Sequence, residues 1–150
     1  MGHRSHALLL LSTCLDPAGA LTDTSAMAIR HLVDRIPAQY VDALSGKSVL
    51  ITGGLGFIGS NLAHALVQLG ATVTILDALL EQYGGNTFNL KGIEDNVTVV
   101  DGNILNEELL GDLVSSSDFI VHLAGQVGYV DSKQKPFEDL DYNGRGMLML

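Results

Sequence analysis

From residue 47 onward, short apolar runs alternate with longer stretches whose apolar positions recur every three or four residues. Residues 47–52 (KSVLIT) form a β-branched run that ends in glycines, the pattern of a buried strand. Residues 57–69 are apolar at helical spacing and are followed by Gly70, a C-terminal stop. A second strand is predicted at 71–77 (ATVTILD), a third at 97–101 and a fourth at 118–122 (DFIVH). A helix is predicted at 106–116, and another from about Pro136 to Leu150, with Pro136 in its first turn. The connection 78–96 is long and holds Gly84, Gly85 and Asn86, with room for a short helical turn.

Strand, helix, strand, repeated, requires crossover connections and a parallel sheet. The near-continuous apolar strands fit a sheet covered on both faces. Right-handed crossovers then predict the strand order 3-2-1-4, an α/β doubly wound sheet. In this order the outer edge of the fourth strand is bare. Ahead of the sheet, residues 26–44 carry apolar positions near helical spacing, interrupted at Pro37, and predict one or two short helices. Residues 1–45 are therefore read as an amino-terminal extension, partly disordered, and 46–150 as the domain. Arg4 followed by Ala7 and four leucines imitates a secretion signal, but the apolar run is short and gives way to Ser12, Thr13 and Cys14.

The chemistry lies in the turn Thr52-Gly53-Gly54-Leu55-Gly56-Phe57-Ile58-Gly59. It contains G-x-G-x-x-G at Gly54, Gly56 and Gly59, between a strand and a helix, the context that gives this spacing meaning. One glycine permits the tight turn. Gly56 lets a pyrophosphate reach the backbone, and Gly59 lets helix and strand pack closely. Unpaired N–H groups at the helix start, with the helix dipole, then hold the anion. This is a Rossmann-type dinucleotide site. Asp77 closes the second strand, where a carboxylate accepts hydrogen bonds from the adenosine ribose hydroxyls and repels a 2′-phosphate. The residues after it, Ala78, Leu79 and Leu80, supply no cation, so NAD is expected over NADP.

Charge sharpens this reading. Eight basic and seventeen acidic residues give a net charge of −9 in 150 residues. That balance argues against nucleic acid or an anionic membrane as partner, and no apolar run is long enough to span a bilayer. Any phosphate site must be local and made of main-chain donors. The single cysteine, Cys14, precludes an internal disulfide and suits a reducing, cytoplasmic setting. The five histidines have no metal-ligand spacing, so no metal is expected.

The blocks TGGLGFIGSNL, ILD, DGNI and VHLAGQV, in this order, resemble the extended short-chain dehydrogenase/reductases. Within these the chain is most similar to the NAD-dependent nucleotide-sugar epimerases and dehydratases, from about Lys47 to Leu150. The resemblance implies a pyrophosphate turn at Gly53, Gly56, Phe57, Ile58 and Gly59 and a ribose carboxylate at Asp77. It implies adenine contacts at Asn103 and Ile104, where the family usually has Gly-Asp-Ile. Leu123, Ala124, Gly125 and Gln126 match the loop that lines the cofactor's ribose and diphosphate. Asn143 matches an asparagine near the nicotinamide. Ser132 and Pro136 match the approach to its helix. Departures are Gly144, Gly146 and Met147; each glycine costs a helix about 1 kcal/mol relative to alanine.

The family's acid/base chemistry needs a Tyr-x-x-x-Lys pair and an upstream Ser or Thr beyond the fourth strand. Tyr129 and Lys133 have that spacing, but they fall in a predicted loop before Pro136 and are read as non-catalytic. His122 is read as a strand-end core histidine. No catalytic residue is therefore assigned, and the domain is expected to be incomplete at its carboxyl end, a fragment. The expected function is the NAD-binding portion of a 4-epimerase-like enzyme acting on a nucleotide sugar by transient oxidation. A 4,6-dehydratase, a decarboxylase and a non-catalytic NAD-binding module stay open, as does a homodimer of the complete enzyme.

Overall fold

The computed structural model describes residues 31, 33–80 and 83–150. The chain divides into two compact units, residues 1–37 and 38–150. The signal-like stretch, the first thirty residues and Glu81 lie outside the described residues. In the first unit the described part includes one turn, Ile36 N–H to the Val33 carbonyl at 2.9 Å.

The second unit opens with helix α1 (Ala38–Leu44), which follows Pro37 as the break there predicts. Strand β1 (Ser48–Thr52) leads through the glycine turn into α2 (Phe57–Gln68). Residues 59, 60, 63 and 66 of α2 are buried, the spacing of one helix face. The helix ends where Gly70 takes φ +81°. Ala71 N–H then bonds the Leu66 carbonyl and Gly70 N–H the Val67 carbonyl, both at 3.0 Å, satisfying the last turn. Strand β2 (Thr72–Asp77) follows at once.

The long connection contains two 3₁₀ turns, Thr87–Leu90 and Glu94–Asn96, before β3 (Val97–Asp101). Helix α3 (Glu107–Ser115) starts under the Asn106 side chain, which accepts the Leu109 N–H, and Glu107 and Glu108 occupy its first turn. Strand β4 (Phe119–His122) is followed by α4 (Tyr129–Gln134) and α5 (Pro136–Leu140). A π-helical turn at Asp141–Arg145 runs into α6 (Gly146–Leu148).

All strands are parallel and their order is β3-β2-β1-β4, as the crossover rule requires. Thr52 faces Leu76 and His122 across its two neighbours, and Asp77 faces Asp101, so the carboxyl ends of the strands lie level. At the opposite end Asp118 accepts the Ser48 N–H at 2.9 Å and the Lys47 ammonium at 3.2 Å. These partners, the N–H first, hold the Asp118 carboxyl below its usual range.

Each face of β1 and β2 carries a core. Val49, Ile51, Val73 and Ile75 pack with Leu55, Ala63 and Leu66 on one side. Leu50 and Leu76 pack with Ile104 and Leu110 on the other. Each fully buried aliphatic side chain contributes about 1.5–3 kcal/mol. The expected cover on both faces does not extend across the sheet: β3 and β4 have no fully buried residue. They are the outer strands, and among the described residues only short elements flank them. Two expectations for the last third are also corrected. Residues 129–134 are helical, not loop, and the helix predicted over 136–150 is interrupted by the π turn. No described helix is long and apolar enough to cross a membrane.

Candidate functional site

At the carboxyl ends of the strands lies a cavity of about 380 Å³. Its floor is the glycine turn. Gly53 adopts φ +69°, a left-handed conformation costly for any side chain, and a Cβ there would meet Ala124 N at 2.6 Å. A Cβ on Gly59 would lie 2.6 Å from both the Gly53 carbonyl oxygen and Gly54 Cα. Backbone therefore packs on backbone. The helix that starts here has Gly56 at its cap position and no side-chain cap, so the N–H groups of its first turn have no partner from that residue. Gly56, Phe57, Ile58 and Gly59 all line the cavity, and Phe57 and Ile58 are exposed. Main-chain donors at a helix start without a side-chain cap fit a diphosphate.

Asp77 lines the same cavity. Its Oδ2 accepts the Leu55 N–H and its Oδ1 the Leu79 N–H, both at 3.0 Å. Each oxygen thus has one lone pair anchored and one free for a ligand hydroxyl. Gly102, Asn103 and Ile104 form another part of the wall. Asn103 Oδ1 accepts the Leu105 N–H at 2.9 Å and its amide nitrogen reaches the Tyr142 hydroxyl at 3.4 Å. The amide is thus tied within the protein, and these bonds leave its oxygen one lone pair.

Leu123, Ala124, Gly125 and Gln126 complete the far wall. Thr52, fully buried, fastens this loop to the turn: its hydroxyl lies 3.3 Å from the Leu123 and Ala124 nitrogens and 2.7 Å from His122 Nδ1. The Thr52 hydroxyl thereby ties the His122 ring and the loop after β4 to the end of β1. Burial holds the His122 pKa below its usual value.

Asn143 does not line the cavity. Its Oδ1 accepts the Gln126 N–H at 2.8 Å, and its amide nitrogen donates to the Gln126 carbonyl and to Asp139, each at 2.9 Å. The π turn brings this side chain onto the loop, so the residue braces the wall from behind. Tyr129 and Lys133 share one face of α4, with the ammonium 4.3 Å from the ring centroid, and neither lines the cavity. Sequence reasoning gave no site role to Thr52, Tyr142, Ala78 or Val127. Ala78 and Val127 line the cavity beside the predicted Asp77 and Gln126, whereas Thr52 and Tyr142 act on partners 39 to 72 residues away and leave no local pattern.

The chain resembles known proteins over this same region. It is 41% identical over 86 residues to the dTDP-glucose 4,6-dehydratase of Mycolicibacterium smegmatis, covering 56% of this chain and 25% of the relative. It is 33% identical over 107 residues to the UDP-glucose 4-epimerase of Neisseria meningitidis serogroup A, covering 69% of this chain and 32% of that enzyme. Among solved structures, the Bordetella bronchiseptica enzyme WbmF in complex with NAD+ superposes with a TM-score of 0.63 at 31% identity, over 72% of this chain and 32% of that one. The chain thus spans about a quarter to a third of the length of these relatives. The pattern that defines the NAD dependent epimerase/dehydratase family matches residues 49–150, and the chain belongs to that family.

Proposed function

We propose that this chain is the NAD-holding portion of a nucleotide-sugar epimerase of the 4-epimerase kind. The observation that carries the reading is the pairing, in one cavity, of the capless start of α2 with the Asp77 carboxylate. One grips a diphosphate, the other a ribose diol. When bound, NAD supplies a hydride acceptor and donor for the sugar carbon. The chain's own residues bind and orient it: Gly53, Gly56, Phe57, Ile58 and Gly59 under the diphosphate, Asp77 at the adenosine ribose, Asn103 and Ile104 beside the adenine. Leu123, Ala124, Gly125 and Gln126 lie along the second ribose, and Asn143 fixes that loop.

A 4,6-dehydratase is the second reading, favoured by the higher identity to the dTDP-glucose enzyme. Both reactions begin by oxidising the sugar, so the cofactor cavity serves either. A non-catalytic NAD-binding module is favoured by one point: Tyr129 and Lys133, which have the spacing of a catalytic pair, stand away from the cavity. The cytoplasm fits the single cysteine.

Calorimetric titration with NAD tests the cofactor reading. Asp77→Ala should weaken NAD binding about tenfold to a hundredfold, the loss of hydrogen bonds to a charged acceptor, and narrow any preference over NADP. Unchanged affinity for both cofactors would defeat the assignment. Turnover of UDP-glucose by this chain would defeat the view that it lacks the acid/base residues.

A further inference from the structure

One side of the cavity is walled by residues 83–86, with Tyr83 and Gly85 lining it. The attachments of this wall and of Asp77 converge on a single residue. Leu55, whose side chain is completely buried, donates its N–H to Asp77 Oδ2 at 3.0 Å. Its carbonyl accepts the Asn89 side-chain amide at 2.8 Å and the Asn86 N–H at 3.2 Å. Asn89 is held in turn by α2, where His64 Nε2 lies 3.1 Å from its carbonyl oxygen. The Asn86 side chain accepts the Phe88 N–H and shapes the 3₁₀ turn between them. The ribose carboxylate and the wall are thus fastened to the two ends of one residue in the glycine turn.

The result is a close approach. A Cβ on Gly85 would lie 2.9 Å from Asp77 Oδ1 and 3.6 Å from Oδ2. No side chain separates wall from carboxylate. Because main-chain N–H groups pin both carboxylate oxygens, the carboxylate cannot turn aside without losing one of them. The described lining residues include no Lys or Arg.

We propose that Asn89 is a positioning residue that sets how closely this wall shuts against Asp77. Through that closure, Gly85 becomes a specificity-determining position, admitting an adenosine ribose with a free 2′-hydroxyl and excluding one that carries a 2′-phosphate. The proposal rests on the cofactor reading above. A 2′-phosphate would place negative charge beside a fixed carboxylate and bulk against Gly85, with no cation among the described lining residues to offset either.

The test measures NAD and NADP affinities of the full chain calorimetrically, with melting temperatures alongside. Asn89→Ala removes the shorter of the two hydrogen bonds that tie this segment to the Leu55 carbonyl. It should weaken NAD about tenfold and NADP less, so the preference for NAD shrinks. A role in stability alone would lower the melting temperature and leave the ratio of the two affinities unchanged, which would overturn the proposal. Gly85→Ala leaves the Asn86 and Asn89 bonds to Leu55 in place and serves if Asn89→Ala does not fold. It should weaken NAD by displacing the carboxylate, and wild-type NAD affinity in this variant would overturn the proposal while leaving the cofactor reading intact. Failure of the wild-type chain to bind NAD would defeat both.

Discussion

The two halves of the sheet are built to different standards. In β1 and β2, Leu50, Ile51 and Ile75 are wholly inaccessible to solvent, closed in by α2 on one face and by Ile104 and Leu110 on the other. In β4, Phe119 is 44% exposed and Ile120 37%, although these residues are as apolar as their neighbours. Strand composition is similar in both places; what differs is the cover. The start of α2 and Asp77, proposed above for the diphosphate and the adenosine ribose, both belong to the closed half. The wall beside β4 is held by hydrogen bonds made by two side chains, Thr52 to residues 123–124 and Asn143 to Gln126.

That contrast can be broken by experiment. Ile75→Ala should cost about 2–5 kcal/mol, the price of a cavity in a close-packed core. Phe119→Ala should cost about 1 kcal/mol or less. Denaturant unfolding measures both, and equal losses would mean that β4 is as well covered as β2. Next in size is Gly59→Ala. Its methyl would press on the Gly53 carbonyl and Gly54 Cα, which are backbone and cannot rotate away. A loss of about 1–3 kcal/mol is expected, together with the NAD affinity of the turn, read at a temperature where the variant is folded.

The smallest effect is a pH dependence on the open side. Burial depresses the His122 pKa in the folded chain. Unfolding restores it to about 6.5, so between the two values the unfolded chain binds the extra proton. The contribution of neutral His122 is then complete above about pH 6.5. It declines as pH falls toward the lower folded value and changes no further below it. Stability measured from pH 7.5 down to 5 should slope downward in the native chain and be flatter in His122→Gln.

How much of this could be read from the residues follows the same division. The strand order came from apolar runs and crossover handedness, both local rules, and the closed half obeys them. Gly53, Gly59 and Asp77 were legible because a turn that lies between strand and helix fixes where each must point. Helix α4 was missed for a physical reason. Tyr129 and Val130 are both exposed, so the segment has no buried stripe to leave a periodic signature. The π turn was missed because apolar spacing carries no mark of it, and the bonds Asn143 makes there, to the main chain of Gln126, reach seventeen residues back along the chain. Asn89 had no signal either: its partner Leu55 lies thirty-four residues away.

The donor set at the head of α2 has one further consequence. Peptide groups do not titrate and carry no net charge, so nothing in that cradle draws an anion from a distance. Around it the chain carries nine surplus negative charges. A dinucleotide therefore approaches against a repulsive field and is captured only on arrival. Added electrolyte screens that field, so encounter should quicken as ionic strength rises, the reverse of what a lysine-lined phosphate site shows.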